Sequence, residues 1–165
     1  MIMAVQGKAF ECVYAEHAEA LLRFLIFRTG DRVLAEDLLA DTFERVLRAG
    51  SRFDPRKASE KTWLYTIALN LLRDHARREG VAESALERVG TADRAGGEAF
   101  EPVEARGDLH RALATLAPEE RELMALRFGA DLTLPEIAKA LGERRTTVEG
   151  RFYRALRKLR ERLEP

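Results

Sequence analysis

The cations of this chain gather in two clusters, each with side chains suited to a polyanion. Residues 143–165 hold eight basic and four acidic groups, and residues 51–80 hold seven and four, within a chain of zero net charge. The C-terminal cluster places Arg144, Arg145, Thr146, Thr147, Glu149, Gly150, Arg151 and Arg154 at the start of a helical pattern. Arginine bonds guanine bidentately, threonine meets the thymine methyl, and glutamate accepts from cytosine. The other cluster interleaves Arg52, Phe53, Arg56, Lys57, Lys61, Asn70, Arg73, Arg77 and Arg78 with Trp63 and Tyr65. Cations of this kind track a phosphate backbone, and flat rings or shaped pockets hold unstacked bases. Solvated helix faces give the same charge counts, and Trp63 in helical register with Ile67 reads as core.

Other chemistries find little support. His17, His75 and His110 fall in different elements, without metal-ligand spacing, and Asp74-His75 reads as a surface pair. The single cysteine, Cys12, has no His and Asp constellation around it and reads as a small buried or edge residue. No glycine motif for phosphate binding is present. The expectation is therefore no catalysis by this chain, no metal and no cofactor. One cysteine fits a reducing cytoplasm. The longest apolar run, Leu21 to Phe27, is short and broken by Arg23, far from the roughly 20 residues of a membrane span. Residues 1–10 lack a basic region followed by an apolar stretch, so no signal peptide is expected.

The elements that must carry the clusters are helical. Phe10 to Arg28 forms a first helix, stopped at Gly30, with Asp31 as the next N-cap. Arg32 to Ala49 forms a second, with Leu39, Phe43, Val46 and Leu47 inward and Asp37, Asp41 and Glu44 on an acidic face. Residues 51–58 read as a loop turned at Asp54-Pro55. Ser59 caps a third helix that runs to Glu79 and buries Trp63, Leu64, Ile67, Ala68 and Leu71. Residues 80–107 are acidic and glycine-rich and read as a flexible linker, with room for one helical turn near Ser84 to Val89.

Helical periodicity returns at Asp108 and stops before Pro118. Pro118 opens a helix that breaks at Gly129. Thr133-Leu134-Pro135-Glu136 is a capping box that starts a short helix, Pro135 to Leu141, ended by Gly142. A long basic helix, Arg145 to Leu163, follows with Val148, Phe152, Leu156 and Leu159 inward. A short helix, a tight turn and a longer basic helix make a helix-turn-helix, whose second helix presents its N-terminal residues to the major groove. A helical hairpin with a basic face is the alternative. Gly150 costs the last helix about 1 kcal/mol relative to Ala, which suits a close backbone approach.

Three stretches, in order and at matching separation, resemble bacterial RNA polymerase sigma factors of the extracytoplasmic-function (ECF) type. They are Ala35 through Phe43; Arg52-Phe53-Asp54-Pro55-Arg56-Lys57 with Trp63-Leu64-Tyr65 and Ile67 to Asn70; and Glu136-Ile137-Ala138 through Thr147-Val148 to Arg154-Ala155. The resemblance implies an all-α chain of two small domains. A three-helix region 2-like unit would span 8–79, a linker 80–107, and a four-helix region 4-like unit 108–163. It also implies partners: core RNA polymerase, promoter DNA and an anti-sigma factor. Asp37, Leu38, Asp41, Thr42, Glu44, Arg45 and Arg48 would dock on the clamp coiled coil of the polymerase. Residues 52–61 would capture a base flipped from the −10 element. Asn70, Arg73, Arg77 and Arg78 would touch upstream −10 DNA, and the helix-turn-helix would read −35. Family members often have Gln where Ala40 stands, Gly where Ala58 stands, an aromatic where Glu60 stands, and Lys or a neutral residue where Glu149 stands. Two rivals remain at this level: a stand-alone helix-turn-helix regulator, and a polymerase-binding adaptor that does not read DNA.

Overall fold

The computed structural model describes residues 4–5, 8–80 and 103–164. A minimal hairpin comes first, with β1 (Ala4–Val5) antiparallel to β2 (Lys8–Ala9). Strands of two residues are too short to leave a period in the sequence, and none was expected. β2 runs directly into α1 (Phe10–Thr29), which ends where Gly30 adopts φ 64° and its N–H bonds the Ile26 carbonyl. Asp31 then caps α2 (Arg32–Ala49), accepting from the Leu34 N–H at 3.2 Å. A 3-10 turn over Gly50–Arg52 leads into the loop at 53–58. Ser59 caps α3 (Glu60–Glu79), accepting from the Thr62 N–H at 3.1 Å.

The second bundle begins with α4 (Val103–Ala114), earlier than the expected start at Asp108. Pro102 precedes the first turn and Gly107 is carried inside the helix, so the C-terminal end of the expected linker is helical. Residues 81–102, with the turn expected near Ser84, lie outside the described residues. Next come α5 (Pro118–Met124), a π-helical turn over Ala125–Gly129, α6 (Leu134–Leu141) and α7 (Arg145–Leu163). The capping box forms as its residues dictate: the Thr133 N–H donates to Glu136 Oε2 at 2.7 Å, and the Glu136 N–H to Thr133 Oγ1 at 3.4 Å. Gly142 closes α6 at φ 68°, a conformation that suits a residue without Cβ. Among the described residues the fold is thus all-α apart from the minimal hairpin, in two helical units.

Leu21, Leu25, Val46, Leu64, Tyr65 and Leu69 fill the first core, and Leu123, Leu126, Leu132, Ile137 and Val148 the second. Several expected inward residues are displaced by the actual helix rotations. Trp63 and Ile67 are half-buried, because α3 turns Tyr65, Leu69 and Leu72 inward instead. Leu156 and Leu159 are half-buried while Ala155 is buried, and Cys12 is exposed because Val13 and His17 define the inward line of α1. Phe128 is thrown outward by the π turn and is 64% exposed.

The two bundles meet. α6 packs against α3, Arg28 Nη2 lies 2.7 Å from Glu122 Oε2, and Ser59 Oγ lies 3.4 Å from Glu136 Oε1. Lys139 Nζ donates to the Lys57 carbonyl. No helix among the described residues is long and apolar enough to cross a membrane.

Candidate nucleic-acid interface

Helix α7 begins with no side-chain cap, which leaves its first turn open to an outside acceptor. Arg144, Arg145, Thr146 and Thr147 are all exposed there, and Arg154 joins them two turns on. Gly150 is exposed, and a Cβ built on it meets nothing within 4 Å, so nothing among the described residues demands the glycine. Two residues of the set are already engaged. Arg151 Nη1 sits 3.0 Å from Glu143 Oε2 across the α6–α7 turn, and its side chain is mostly buried. Glu149 holds Arg145 Nε at 2.6 Å, one turn apart. Arg151 therefore braces the turn, and the acid of Glu149 is spent on its neighbour.

The helix is held on its bundle from behind. The buried Glu120 carboxylate accepts from Lys158 Nζ at 2.8 and 2.9 Å and from the Ala117 N–H at 2.9 Å. Burial pushes this carboxyl up, but the bonds from Lys158 and Ala117 outweigh it and hold it below its ordinary value. Phe128 lies against Phe152 of α7, and Phe152 against Tyr153, with ring centroids 6.1 and 5.5 Å apart.

In the first bundle, the loop after α2 is shaped by Asp54. Its carboxylate accepts from the Arg56 N–H at 2.9 Å, and its carbonyl from the Lys57 N–H at 3.0 Å. Arg52, Arg56 and Lys57 are exposed and Lys61 is half-exposed. Phe53 lies against Trp63, with ring centroids 5.0 Å apart, and both rings stay half-exposed beside these cations. Tyr65 does not belong with them. It is 1% exposed, its hydroxyl has no partner among the described residues, and burial pushes its pKa up to about 12. Further along α3, Asn70, Arg73 and Arg77 line an open groove of about 700 Å³ with Arg45 of α2. Arg78 is exposed at its end.

The residues of α2 that the resemblance assigns to polymerase docking divide between surface and core. Asp37, Asp41, Glu44, Arg45 and Arg48 are exposed, whereas Leu38 and Thr42 are buried. The Thr42 hydroxyl bonds the Leu38 carbonyl at 2.7 Å, so both residues support the face from inside.

One grouping was not legible from spacing. The imidazole of His17 on α1 lies 2.9 Å from Glu60 Oε1 on α3, and Lys8 of β2 reaches the same oxygen at 3.2 Å. Lys8 also pairs with Glu16; the bonds to Glu16 and then Glu60 hold its ammonium above its ordinary value. Glu16, His17 and Glu60 bring ligand-type atoms within 4.8 Å of one another, and the cation they surround is Lys8.

Fold and surface together define a two-bundle protein with a helix-turn-helix and two separate exposed sets of basic side chains. The description "Sigma-70 region 2" matches residues 13–81, and "Sigma-70, region 4" matches residues 112–161. The chain belongs to the ECF RNA polymerase sigma factors, and as such is a transcription initiation factor that directs RNA polymerase to promoters. It is 31% identical to ECF RNA polymerase sigma factor SigL of Mycobacterium tuberculosis over 167 residues, covering 98% of this chain and 92% of that one. It is 33% identical to RNA polymerase sigma factor CarQ of Myxococcus xanthus, covering 94% and 89%. Against ECF RNA polymerase sigma factor BldN of Streptomyces coelicolor it is 29% identical and spans only 61% of that relative's length. Among solved structures, CnrH in complex with the cytosolic domain of CnrY is similar at TM-score 0.67 and 26% identity, over 94% of this chain and 87% of that one. The fold also matches RpoE of Bartonella quintana, crystallised with the anti-sigma factor NepR, at TM-score 0.69 and 24% identity, over 94% and 96%.

Proposed function

We propose that this chain binds core RNA polymerase through the exposed charges of α2, reads −35 DNA with the start of α7, and opens −10 DNA with the loop before α3. The observation that carries this division of labour is the pairing of two different surfaces on two bundles. The α7 surface offers Arg144, Thr146, Thr147 and Arg154 along the first half of the helix, the geometry of major-groove readout. The α3 surface offers loop cations beside the Phe53–Trp63 pair, with Asn70, Arg73 and Arg77 along a groove. That combination suits a strand whose bases are unstacked. Flipping a base costs a few kcal/mol, least where pairing is weak, and contacts from loop and polymerase offset it.

The free chain, with zero net charge, binds duplex DNA poorly, because affinity follows the number of phosphates neutralised. It works in the cytoplasm, where polymerase and promoter are, and does no chemistry of its own. An anti-sigma protein is its expected antagonist. The apolar cleft of about 640 Å³ between α1 and the second bundle, with Phe27, Leu109, Leu113 and Phe128 on its walls, suits an apolar helix of such a partner.

Run-off transcription with purified core polymerase tests the reading. Promoter-dependent transcript only when the chain is added supports it. Footprinting of a promoter without polymerase would point to a stand-alone regulator. Core binding with promoter choice unmoved by Arg154→Ala would point to an adaptor.

A further inference from the structure

Glu60 is the first residue of α3, where a carboxylate faces the positive end of the helix and the −10 loop joins it. An unpaired acid there would repel the DNA that Arg56 and Lys57 attract. The structure removes that conflict: the carboxylate turns onto His17 at 2.9 Å and Lys8 at 3.2 Å. His17 is 9% exposed, so its ring nitrogen needs a partner inside the bundle, and Glu60 is that partner. A divalent metal among Glu16, His17 and Glu60 would have to displace the Lys8 ammonium, so the cluster reads as an ion-paired brace.

The brace lies at one end of the loop. At the other end, Phe53 packs on Trp63. Between these anchors, Asp54 sets the turn with its own backbone and side-chain bonds, while Arg56 and Lys57 project outward. Fixing both ends presets where the two cations stand, which lowers the ordering cost when a strand binds.

We propose that Glu60, held by His17 and Lys8, is a positioning residue for the −10 loop, locking the start of α3 to α1 and to the N-terminal hairpin. The proposal rests on the −10 role given to the loop above. It departs from the opposite expectation, that Glu60 is a negative charge set against DNA, and the two differ in sign.

The test uses holoenzyme reconstituted with core polymerase. Three quantities are read: affinity of the chain for core, affinity of holoenzyme for a single-stranded −10 oligonucleotide, and permanganate reactivity of −10 thymines in a duplex promoter. Glu60→Ala is expected to weaken oligonucleotide binding about tenfold while core affinity stays within about twofold. Glu60→Gln still accepts from an imidazole N–H and is expected to recover most of the loss. Lys8→Met, on the surface hairpin and leaving the buried His17–Glu60 contact in place, is the second variant and is expected to lose a smaller part of the oligonucleotide affinity. Oligonucleotide binding that tightens or does not change in Glu60→Ala overturns the proposal, as does an equal loss of core affinity. Failure of the wild-type holoenzyme to select the −10 strand would instead sink the role of the loop.

Discussion

The Arg28 guanidinium meets the Glu122 carboxylate at 2.7 Å, tying α1 of the first bundle to α5 of the second. Both side chains are largely buried, and Arg121 beside them is 8% exposed with no partner for Nε among the described residues. Burial, and then the charge of Arg28, lower the Arg121 guanidinium below its ordinary value. Glu122 is thus the carboxylate that makes a crowded pair of cations tolerable at the seam. Glu122→Ala leaves a buried charge without its partner, a change that typically costs about 3–5 kcal/mol. The variant is expected to part the bundles, seen as a larger radius of gyration in small-angle scattering. Identical scattering from variant and wild type would refute this account of the seam.

Glu120 gives a pH dependence with a definite sign. Its folded pKa lies below the ordinary 4.5, so its contribution is fully present above that value and is lost as pH falls through the folded one. Glu120→Gln lacks the ionised acceptor for Lys158 at any pH. The wild type is therefore expected to melt higher than Glu120→Gln at neutral pH, by about 1–3 kcal/mol in stability. The gap should close in acid, and a gap of constant size from neutral to acid pH would count against the assignment.

Much of this architecture could be read from residue order, and the exceptions share a cause. Caps and stops are local: Asp31, Ser59, Thr133 with Glu136, and Gly142 act where their chemistry places them. Helix rotation is not local. Trp63, Ile67 and Tyr65 all lie in an apolar stretch, and only packing against α2, α6 and Phe24 of α1 decides that Tyr65 goes in while Trp63 stays at the edge. The same holds for Leu38 and Thr42, which flank the acidic positions in sequence and point inward in space. Contacts between distant residues leave no local signal. His17 and Glu60 are separated by 43 positions, and nothing in either neighbourhood announces the other. The Arg151–Glu143 pair was closer to hand, since the tight turn at Gly142 folds α7 back against the end of α6.

The groove lined by Asn70, Arg73 and Arg77 predicts a salt effect more than a sequence effect. Arg73→Ala and Arg77→Ala are each expected to reduce the slope of log affinity against log salt by about one, uniformly across promoters. Titrating holoenzyme on matched and mismatched promoters at several salt concentrations measures it. Loss on one promoter sequence alone would mean that these arginines read bases.

Glu149 restrains Arg145 at 2.6 Å on the exposed side of α7. Glu149→Gln replaces an ion pair with a weaker neutral contact and frees Arg145 to reach a phosphate or a guanine. Holoenzyme carrying it is expected to bind its promoter about two- to fivefold more tightly at low salt, with the gain fading at high salt. Weaker binding would show that Glu149 itself accepts from a base.

Gly150 separates the needs of the helix from the needs of its ligand. A methyl group there meets nothing within 4 Å, and the residue is in a regular helical turn, so Gly150→Ala is expected to stabilise the chain by about 1 kcal/mol. A rise in melting temperature checks that half of the argument. The other half concerns the outer face of α7, where DNA backbone or base edges pass closest to a helix seated in the major groove. If the glycine makes room for them, the same substitution weakens promoter binding by holoenzyme while the free protein becomes more stable. Opposite movement of the two quantities places Gly150 at the interface. Parallel gains in stability and affinity would show that DNA does not approach this position.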